Sequence, residues 1–526
     1  MCVHVIKLYV YILLRTLLCC LSSLEDGRGE RGEIVCSSQA RDIQKINVVL
    51  VSLPCTKNRP APSSTTMEFL KQNGLAIATG VAIGYAISVI LGQKSTTTTM
   101  ATEDELNNNP IRFKYSPPSV PKQQPISPDD PVLEKDAVKK AIFGKPVPGN
   151  AIVEFDYLES FMNDTFLHYG LTKEDAAICS DVLIASDKRG IDSHGIGRLK
   201  PIYCERMDAG ILKARSRLTI VKQTPNIAVV DGGGGIGLSI GPKCMQLAID
   251  KAKSNGGIGM VVVRNSTHYG FAGYYPLMAD HDGCIGISGT NARPSIAPTY
   301  GVEPMMGTNP IVYGMPSTDP FPFVIDCATS VNQRGKIEKY AREGKPTPAG
   351  CVLSKDGEEM TDSKAILQAF IERTACFTPL GGAGHKMAGY KGYGYAAVVE
   401  IMCAALQGNK WGADLADSFI DANGVKQRQP SLLGHFFIAI DVEQFTALKD
   451  FQDTTGQICK GFRESRKDPK GPGRIYTAGE PEFLAWSHRS HHGGTNVPPP
   501  LQKHMQDLRD SFPPEIQKKW AKMPFE

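Results

Sequence analysis

The chain has 526 residues, of which 41% are hydrophobic and 21% charged, an ordinary composition for a globular protein with room for two or three domains. A formal net charge of +4 is too small at this length to attract a polyanion, so we do not expect a nucleic-acid partner. After residue 150 the cysteines are scattered singly, without a C-x-x-C pair. This pattern favours buried thiols in an intracellular protein over a zinc site.

Residues 1–100 form an N-terminal extension that differs in composition from the rest of the chain. Tyr9–Leu21 is a short apolar stretch with basic residues nearby, which resembles a signal segment. Leu75–Leu91 contains no charge and, at about 1.5 Å per residue, is just long enough for a short bilayer crossing. A membrane anchor through residues 75–91, or an organelle-targeting leader, is one interpretation.

Met67 supports a second interpretation, in which residues 1–66 come from an upstream start and are not part of the expressed protein. Residues 101–150 are polar and rich in proline, so they predict a disordered linker. We place the folded catalytic region at 151–510 and a C-terminal tail at 511–526.

The folded region is predicted to open with two helices. Phe155–Tyr169 carries apolar residues at helical spacing and stops at Gly170, where a left-handed cap is easily formed. Thr172 and Asp175 have the spacing of a capping box, which predicts a second helix that runs to Gly190. The second helix leads directly into the first of two histidine-containing loops.

Beyond residue 210, apolar strands alternate with helices, which predicts an α+β protein with a substantial sheet. The predicted strands are Ile227–Val230, Ile258–Val263, Cys284–Ser288, Phe323–Cys327 and Phe436–Ile440. The predicted helices are Pro242–Ala252, Phe271–Ala279 and Gln502–Ser511.

A glycine run between Asp231 and Gly237 satisfies the G-x-G-x-x-G pattern of a pyrophosphate-binding loop. Consecutive glycines meet that pattern easily, and the next strand ends in Arg264 and Asn265 where an acidic residue would be required. We therefore interpret the run as a flexible turn.

Two histidines beside glycines are the strongest candidates for chemistry. Arg198 follows His194 by four residues and offers a fork of donors for a carboxylate, to which the Ser193 hydroxyl can add. His268 lies just before the helix predicted from Phe271, whose dipole would favour a neutral imidazole that can accept a hydroxyl proton. A lone histidine is more often a hydrogen-bonded loop residue, so the assignment needs support from other motifs.

Further motifs fall at the ends of apolar segments: Gly289–Pro294, Gly307–Pro310, Asp326–Ser330, Pro379–Gly382 and Gly389–Gly394. Together with the histidine segments they resemble the malate/L-lactate dehydrogenase family, which includes sulfolactate and ureidoglycolate dehydrogenases and is unrelated in fold to the Rossmann lactate and malate dehydrogenases. The resemblance runs from about Ala151 to about Asp510, and the motifs are specific in combination.

The resemblance implies a helical domain beside an α/β domain with a mixed sheet, a homodimer, a cytoplasmic catalytic region and NAD or NADP as cofactor. It matches His268 to the catalytic proton acceptor and Ser193, His194 and Arg198 to the substrate pocket. The cofactor positions that it implies are Asn291, Ala292, Asp326, Cys327, Ala328, Lys391, Gly392, Gly479 and Glu480.

The implied reaction is hydride transfer between the nicotinamide cofactor and a small 2-hydroxy or 2-keto acid, with malate or lactate favoured. Ureidoglycolate, sulfolactate and cyclic imino acids are alternative substrates. A metal-dependent hydrolase using Asp192, His194 and His268 is a rival, but no H-E-x-x-H appears and we expect no metal. A catalytically inactive, membrane-tethered scaffold is the other rival.

Overall fold

A computed structural model describes residues 125–127, 148–421, 423–471 and 473–526. The predicted N-terminal extension and nearly all of the predicted linker lie outside these ranges. Within them, no helix combines the length and the apolar character needed to cross a bilayer.

The strands are β1 (Ala151–Val153), β2 (Thr219–Gln223), β3 (Ile227–Asp231), β4 (Ile258–Ser266), β5 (Cys284–Thr290), β6 (Ile311–Met315), β7 (Phe323–Cys327), β8 (Val352–Ser354), β9 (Ala375–Phe377), β10 (Ser418–Ile420), β11 (Lys426–Arg428), β12 (Leu433–Asp441) and β13 (Thr495–Val497). The longer helices are α1 (Phe155–His168), α2 (Lys173–Lys188), α3 (Gly237–Ser254), α4 (Tyr274–His281), α5 (Arg334–Arg342), α6 (Ser363–Glu372), α7 (Gly389–Ala404), α8 (Leu448–Glu464), α9 (Glu480–His491), α10 (Pro499–Ser511) and α11 (Pro514–Lys519).

A seven-stranded mixed sheet forms the centre, in the order β2-β3-β4-β12-β5-β6-β7. β3 and β4 are its parallel pair, joined through α3, and the remaining neighbours are antiparallel. The predicted mixed sheet is therefore confirmed. A Rossmann domain would require parallel pairing throughout the nucleotide-binding half of the sheet.

Side chains alternate between the two faces of the sheet. On one face, Val230, Val261 and Val263 belong to the main core, which also contains residues of α1 to α4. On the other face, α7 packs against the sheet near Val262 and Phe436. The sheet is thus well covered by helices on one side and more sparsely on the other.

The predicted helices at the start of the folded region are confirmed. α1 ends at His168, and the Thr172 hydroxyl accepts the backbone N–H of Asp175 at 3.1 Å at the start of α2. After α2, an irregular helical segment spans residues 196–208. At the other end of the chain, Trp520 packs edge-on against Tyr157 and Phe161 of α1, so residues beyond 510 contribute to the core.

Several predicted boundaries are wrong. α3 begins at Gly237, five residues before the predicted Pro242, and α4 begins at Tyr274 instead of Phe271. β4 continues past Val263 because Arg264 pairs in register with Asp231 and makes an ion pair with its carboxylate at 2.8 Å. Arg264, which marked the end of this strand in the sequence, is therefore still part of the ladder.

Candidate active site

The glycine turn between β3 and α3 supports the segment that carries His268. Thr267 accepts the N–H of Gly237 at 3.0 Å and donates its hydroxyl to the carbonyl of Gly235 at 2.9 Å. A Cβ on Gly237 would overlap the carbonyl oxygen of Thr267 and lie 2.6 Å from that of His268. Glycine is required here by the close approach of two backbones.

The N–H groups of this turn are occupied within the protein. Gly232 and Gly234 donate to the carbonyl oxygens of Arg264 (2.9 Å) and Asn265 (2.7 Å). Gly233 donates to the Asp231 carboxylate at 2.9 Å, and Gly235 donates to the carbonyl of Gly232 at 3.0 Å. A pyrophosphate loop needs its N–H groups free to face the ligand. The segment is a turn, as predicted, but the prediction that it is flexible is wrong, because its hydrogen bonds hold it in place.

His194 and His268 lie side by side, with ring centroids 5.7 Å apart and ring planes 18° from parallel. The Ser193 hydroxyl is 2.8 Å from Nδ1 of His194. On His268, Nδ1 is 2.6 Å from the Tyr203 hydroxyl and accepts the backbone N–H of Gly270 at 3.3 Å. Both contacts involve Nδ1 and leave Nε2 of His268 for a ligand.

Both imidazoles are uncharged at neutral pH. Burial, with a contribution from Arg198, lowers the pKa of His194 to about 4. Burial also lowers the pKa of His268 well below its usual range, and His194, Arg206 and Arg198 lower it further. A neutral imidazole can accept a proton from a substrate hydroxyl.

The predicted contribution of a helix N-terminus to this neutral state is wrong. α4 begins at Tyr274, six residues after His268, and the field of a helix end fades within its first turn. Burial and neighbouring cations keep His268 uncharged instead.

The loop with Ser193 and His194 is fixed by residues on both sides. Arg489 of α9 donates to the Asp187 carbonyl at 2.6 Å and to the Asp192 carboxylate at 2.5 and 3.0 Å. The Asp187 carboxylate accepts the N–H of Ile196 at 2.7 Å. Two residues after Ile196, Arg198 donates from its Nε to the carbonyl of Ser193.

A small cavity opens beside His268. It is lined by Ile202, Tyr203, Arg206, Ile211, Leu212, Thr267, His268, Asp417 and Ser431. The sequence analysis missed Tyr203 and Arg206, although their spacing of three residues places them on one face of a helix. Asp417 carried no local signal, because it reaches the cavity from a distant part of the chain.

A second, larger cavity is lined by two of the predicted cofactor residues, Asp326 and Gly479. Its full lining is Arg189, Ile191, Phe271, Gly273, Leu277, Phe321, Pro322, Val324, Asp326, Gly479, Glu482 and Phe483. Asp326 accepts the N–H of Gly273 at 2.8 Å, and burial raises the pKa of its carboxyl to about 6. The segment 267–273 lines both cavities, the first through His268 and the second through Phe271.

Cys327 and Ala328 follow Asp326 at the end of β7. The other predicted cofactor residues line neither cavity. Asn291 is fully buried and its side chain accepts the N–H of Gly434 at 2.8 Å, while the N–H of Ala292 is donated to Asn309 at 3.2 Å.

Lys391 lies on the exposed side of α7. A Cβ on Gly392 would overlap the Leu380 carbonyl oxygen, so this glycine permits a close approach of two backbones. Glu480 is buried at the start of α9, where it accepts the N–H of Thr477 at 2.9 Å and pairs with Arg474.

The sequence model of the malate/L-lactate dehydrogenase family matches residues 153–506. The chain is 39% identical to malate dehydrogenase of Pyrococcus horikoshii over 334 residues, which cover 64% of this chain and 88% of that protein. It is 35% identical over 302 residues to L-sulfolactate dehydrogenase of Methanocaldococcus jannaschii, covering 57% and 81% of the two chains. The crystal structure of malate dehydrogenase from Entamoeba histolytica matches with a TM-score of 0.65 at 39% identity, covering 69% of this chain and 98% of that one.

Proposed function

Because the chain belongs to the malate/L-lactate dehydrogenase family, we propose that it oxidises and reduces a small 2-hydroxy/2-keto acid pair with a nicotinamide cofactor. The observation that carries the proposal is a buried, uncharged His268 beside a cavity, with its Nδ1 held by Tyr203. Malate and lactate are the favoured substrates.

His268 is the proposed proton acceptor. The Tyr203 hydroxyl is the nearer neighbour of Nδ1, and in the proposed working tautomer Nδ1 carries the proton and donates it to the tyrosine oxygen, in place of the longer contact with the N–H of Gly270. Nε2 is then unprotonated and can take the proton of the substrate hydroxyl during oxidation. In reduction, the protonated ring returns that proton to the carbonyl oxygen.

Arg198 is the proposed clamp for the substrate 1-carboxylate. Its Nε donates to the Ser193 carbonyl, which fixes the guanidinium beside His194 and leaves its two Nη groups for a carboxylate. Ser193 is within hydrogen-bond distance of His194 and fixes the orientation of that ring.

We propose that the second cavity receives part of a nicotinamide cofactor, NAD or NADP. Phe271, Phe321 and Phe483 offer flat apolar contacts for an aromatic ring, and one oxygen of Asp326 remains beyond its bond to Gly273 to accept a ribose hydroxyl. The bound cofactor would supply the hydride acceptor. The side chain of Asn291 is used internally, so we propose that it acts by positioning the backbone at Ala292.

The test is a panel of 2-hydroxy and 2-keto acids, each assayed with NAD and NADP by nicotinamide absorbance. We expect turnover with malate or lactate, and its loss in His268→Asn. A purified chain that binds neither cofactor and turns over no acid in the panel would contradict the proposal.

We also propose a homodimer, because the outward side of α7 is apolar. Tyr395, Val398 and Ile401 are exposed on it, while Val399 and Cys403 on the opposite side pack against the sheet. A helix that is apolar on all sides is normally buried. A second copy of the chain would cover the exposed side.

A further inference from the structure

Arg206 is a largely buried cation at the substrate cavity that the proposed chemistry does not use. Its side chain is 12% exposed, and its Nη2 donates to the Asp417 carboxylate at 3.3 Å. No other hydrogen bond from this guanidinium is present among the described residues. A guanidinium has five N–H donors, so most of those on Arg206 remain for a ligand in the cavity.

The surroundings of Arg206 are positively charged. Asp417 also pairs with Arg293 at 2.6 Å. Burial lowers the pKa of Arg206, and Arg293 and Arg428 lower it further. Two guanidiniums, those of Arg206 and Arg293, therefore share one carboxylate. Asp417 orients Arg206 without neutralising the cluster, and an anion that enters the cavity meets a favourable field.

The other polar groups of the cavity wall are already bonded. The Thr267 hydroxyl donates to Gly235, and the Ser431 hydroxyl donates to Leu415. Ile202, Ile211 and Leu212 complete the wall with apolar surface. Beyond the pair formed by Tyr203 and His268, Arg206 is the donor that this cavity offers to a ligand.

Arg198 and Arg206 both lower the pKa of His268, as expected of two cations close to the ring. They have different positions, because Arg206 lines the cavity and Arg198 is held against the loop of His194. A substrate whose hydroxyl reaches His268 can therefore meet one guanidinium at its 1-carboxylate and the other at its far end.

Resting on the proposed function, we propose that Arg206, oriented by Asp417, forms a subsite for a second anionic group of the substrate. The preferred substrates are then 2-hydroxy acids with a carboxylate or sulfonate at the far end, and monoanions such as lactate are poorer ones. A bidentate guanidinium contact suits either group.

The test compares two 2-keto acids, oxaloacetate and pyruvate, which differ by the second carboxylate. Reduction is measured with the full chain for the wild type, Arg206→Met and Arg206→Lys, together with cofactor affinity. We expect Arg206→Met to lower kcat/KM for oxaloacetate by about 10- to 100-fold, the range for a lost charged hydrogen bond, and to change that for pyruvate by less than about threefold. Arg206→Lys should recover part of the loss.

An equal loss on both substrates would overturn the proposal, since Arg206 would then serve the shared 1-carboxylate or the fold. The wild type provides a second test that needs no variant: it should prefer oxaloacetate to pyruvate, and 3-sulfopyruvate should resemble oxaloacetate. A wild type that reduces pyruvate equally well contradicts the subsite alone. A wild type that reduces none of the three contradicts the proposed dehydrogenase.

Discussion

His268 has one ring nitrogen against Tyr203 and the other free, and it is uncharged because of burial and nearby cations. These are separate effects: the tyrosine orients the ring, and the environment sets its pKa. We therefore expect a substitution that removes the basic nitrogen of His268 to change proton transfer more than ligand binding.

His268→Asn should lower turnover of the preferred hydroxy acid by about a hundred- to ten-thousandfold, the usual contribution of one acid-base group. Cofactor affinity, measured by calorimetry, should stay within about twofold, because His268 does not line the second cavity. Near-normal turnover in this variant would show that another group accepts the proton.

The pH dependence of oxidation follows from the direction of the His268 pKa shift. Its pKa lies well below the usual value of 6.5, so the neutral base persists as the pH falls and is lost only below that value. We expect kcat/KM for oxidation to show no histidine inflection between pH 8 and about 6.5, and to decline at more acid pH. An acid limb centred at or above 6.5, measured in constant-ionic-strength buffers, is the contrary result.

Arg198→Lys should act mainly on substrate binding. An ammonium keeps the charge but cannot reproduce the two-point contact of a guanidinium, so we expect KM for the hydroxy acid to rise by about tenfold, which corresponds to about 1.4 kcal/mol. Initial-rate kinetics at saturating cofactor measure this. An unchanged KM would mean that Arg198 does not hold the carboxylate.

At the residue scale, the sequence located the histidines but not their partners. His194 and His268 each stand beside glycine in a distinctive motif, and the structure brings their rings together. Tyr203 and Arg206 lie in an irregular helical segment without such a motif. Their role depends on which loop this segment faces. That contact joins parts of the chain that are far apart in sequence, so a local motif does not reveal it.

Among the secondary-structure elements, the start of α3 matters most for the site. Gly237 opens the helix and touches the backbone of Thr267 and His268. The glycine turn therefore acts on the chemistry through packing, not through a phosphate. Its sequence pattern alone could not distinguish these two uses, because both require residues without a Cβ.

Gly237→Ala should destabilise the fold by about 1–3 kcal/mol, since a methyl group must displace packed backbone, and should also reduce turnover by moving His268. Gly461→Ala in α8 is the matched control: no atom lies within 4 Å of the new Cβ, so it should be neutral or stabilising by up to about 1 kcal/mol. Urea unfolding and steady-state assays compare the two. Equal effects would show that the contact at Gly237 is unimportant.

The predicted strands β3, β4, β5, β7 and β12 all exist, but their arrangement was beyond the sequence pattern. β12 lies between β4 and β5 and pairs with both, although it follows β5 by more than 140 residues in the chain. Hydrophobic periodicity shows which residues of the sequence form an apolar strand. It does not show which strand becomes its neighbour, because pairing is decided by long-range packing.

At the scale of the whole molecule, the exposed apolar side of α7 is a surface that a single chain leaves uncovered. Ile401 on α7 is 60% exposed, as is Ile371 on α6. The two residues differ in their surroundings, because Ile401 shares its side of the helix with the exposed Tyr395 and Val398. Contiguous apolar surface marks an interface more reliably than a single exposed residue does.

Ile401→Asp should shift the protein from dimer to monomer, because an interface cannot bury an unpaired carboxylate without a cost of several kcal/mol. Ile371→Asp is the control at equal exposure and should leave the dimer intact. Light scattering coupled to size-exclusion chromatography measures both. A wild type that is monomeric at micromolar concentration, or two variants that behave alike, would contradict the assignment of this surface.

The segment 267–273 is shared by both cavities, and this limits how the site can be changed. A substitution that moves the backbone of this segment alters two recognition surfaces at once, so its effect is not confined to one ligand. The residues that line only the first cavity include Ile202, Arg206, Ile211, Leu212 and Ser431. These are the positions at which selection, or an engineer, can exchange one acid for another while the redox partner is kept.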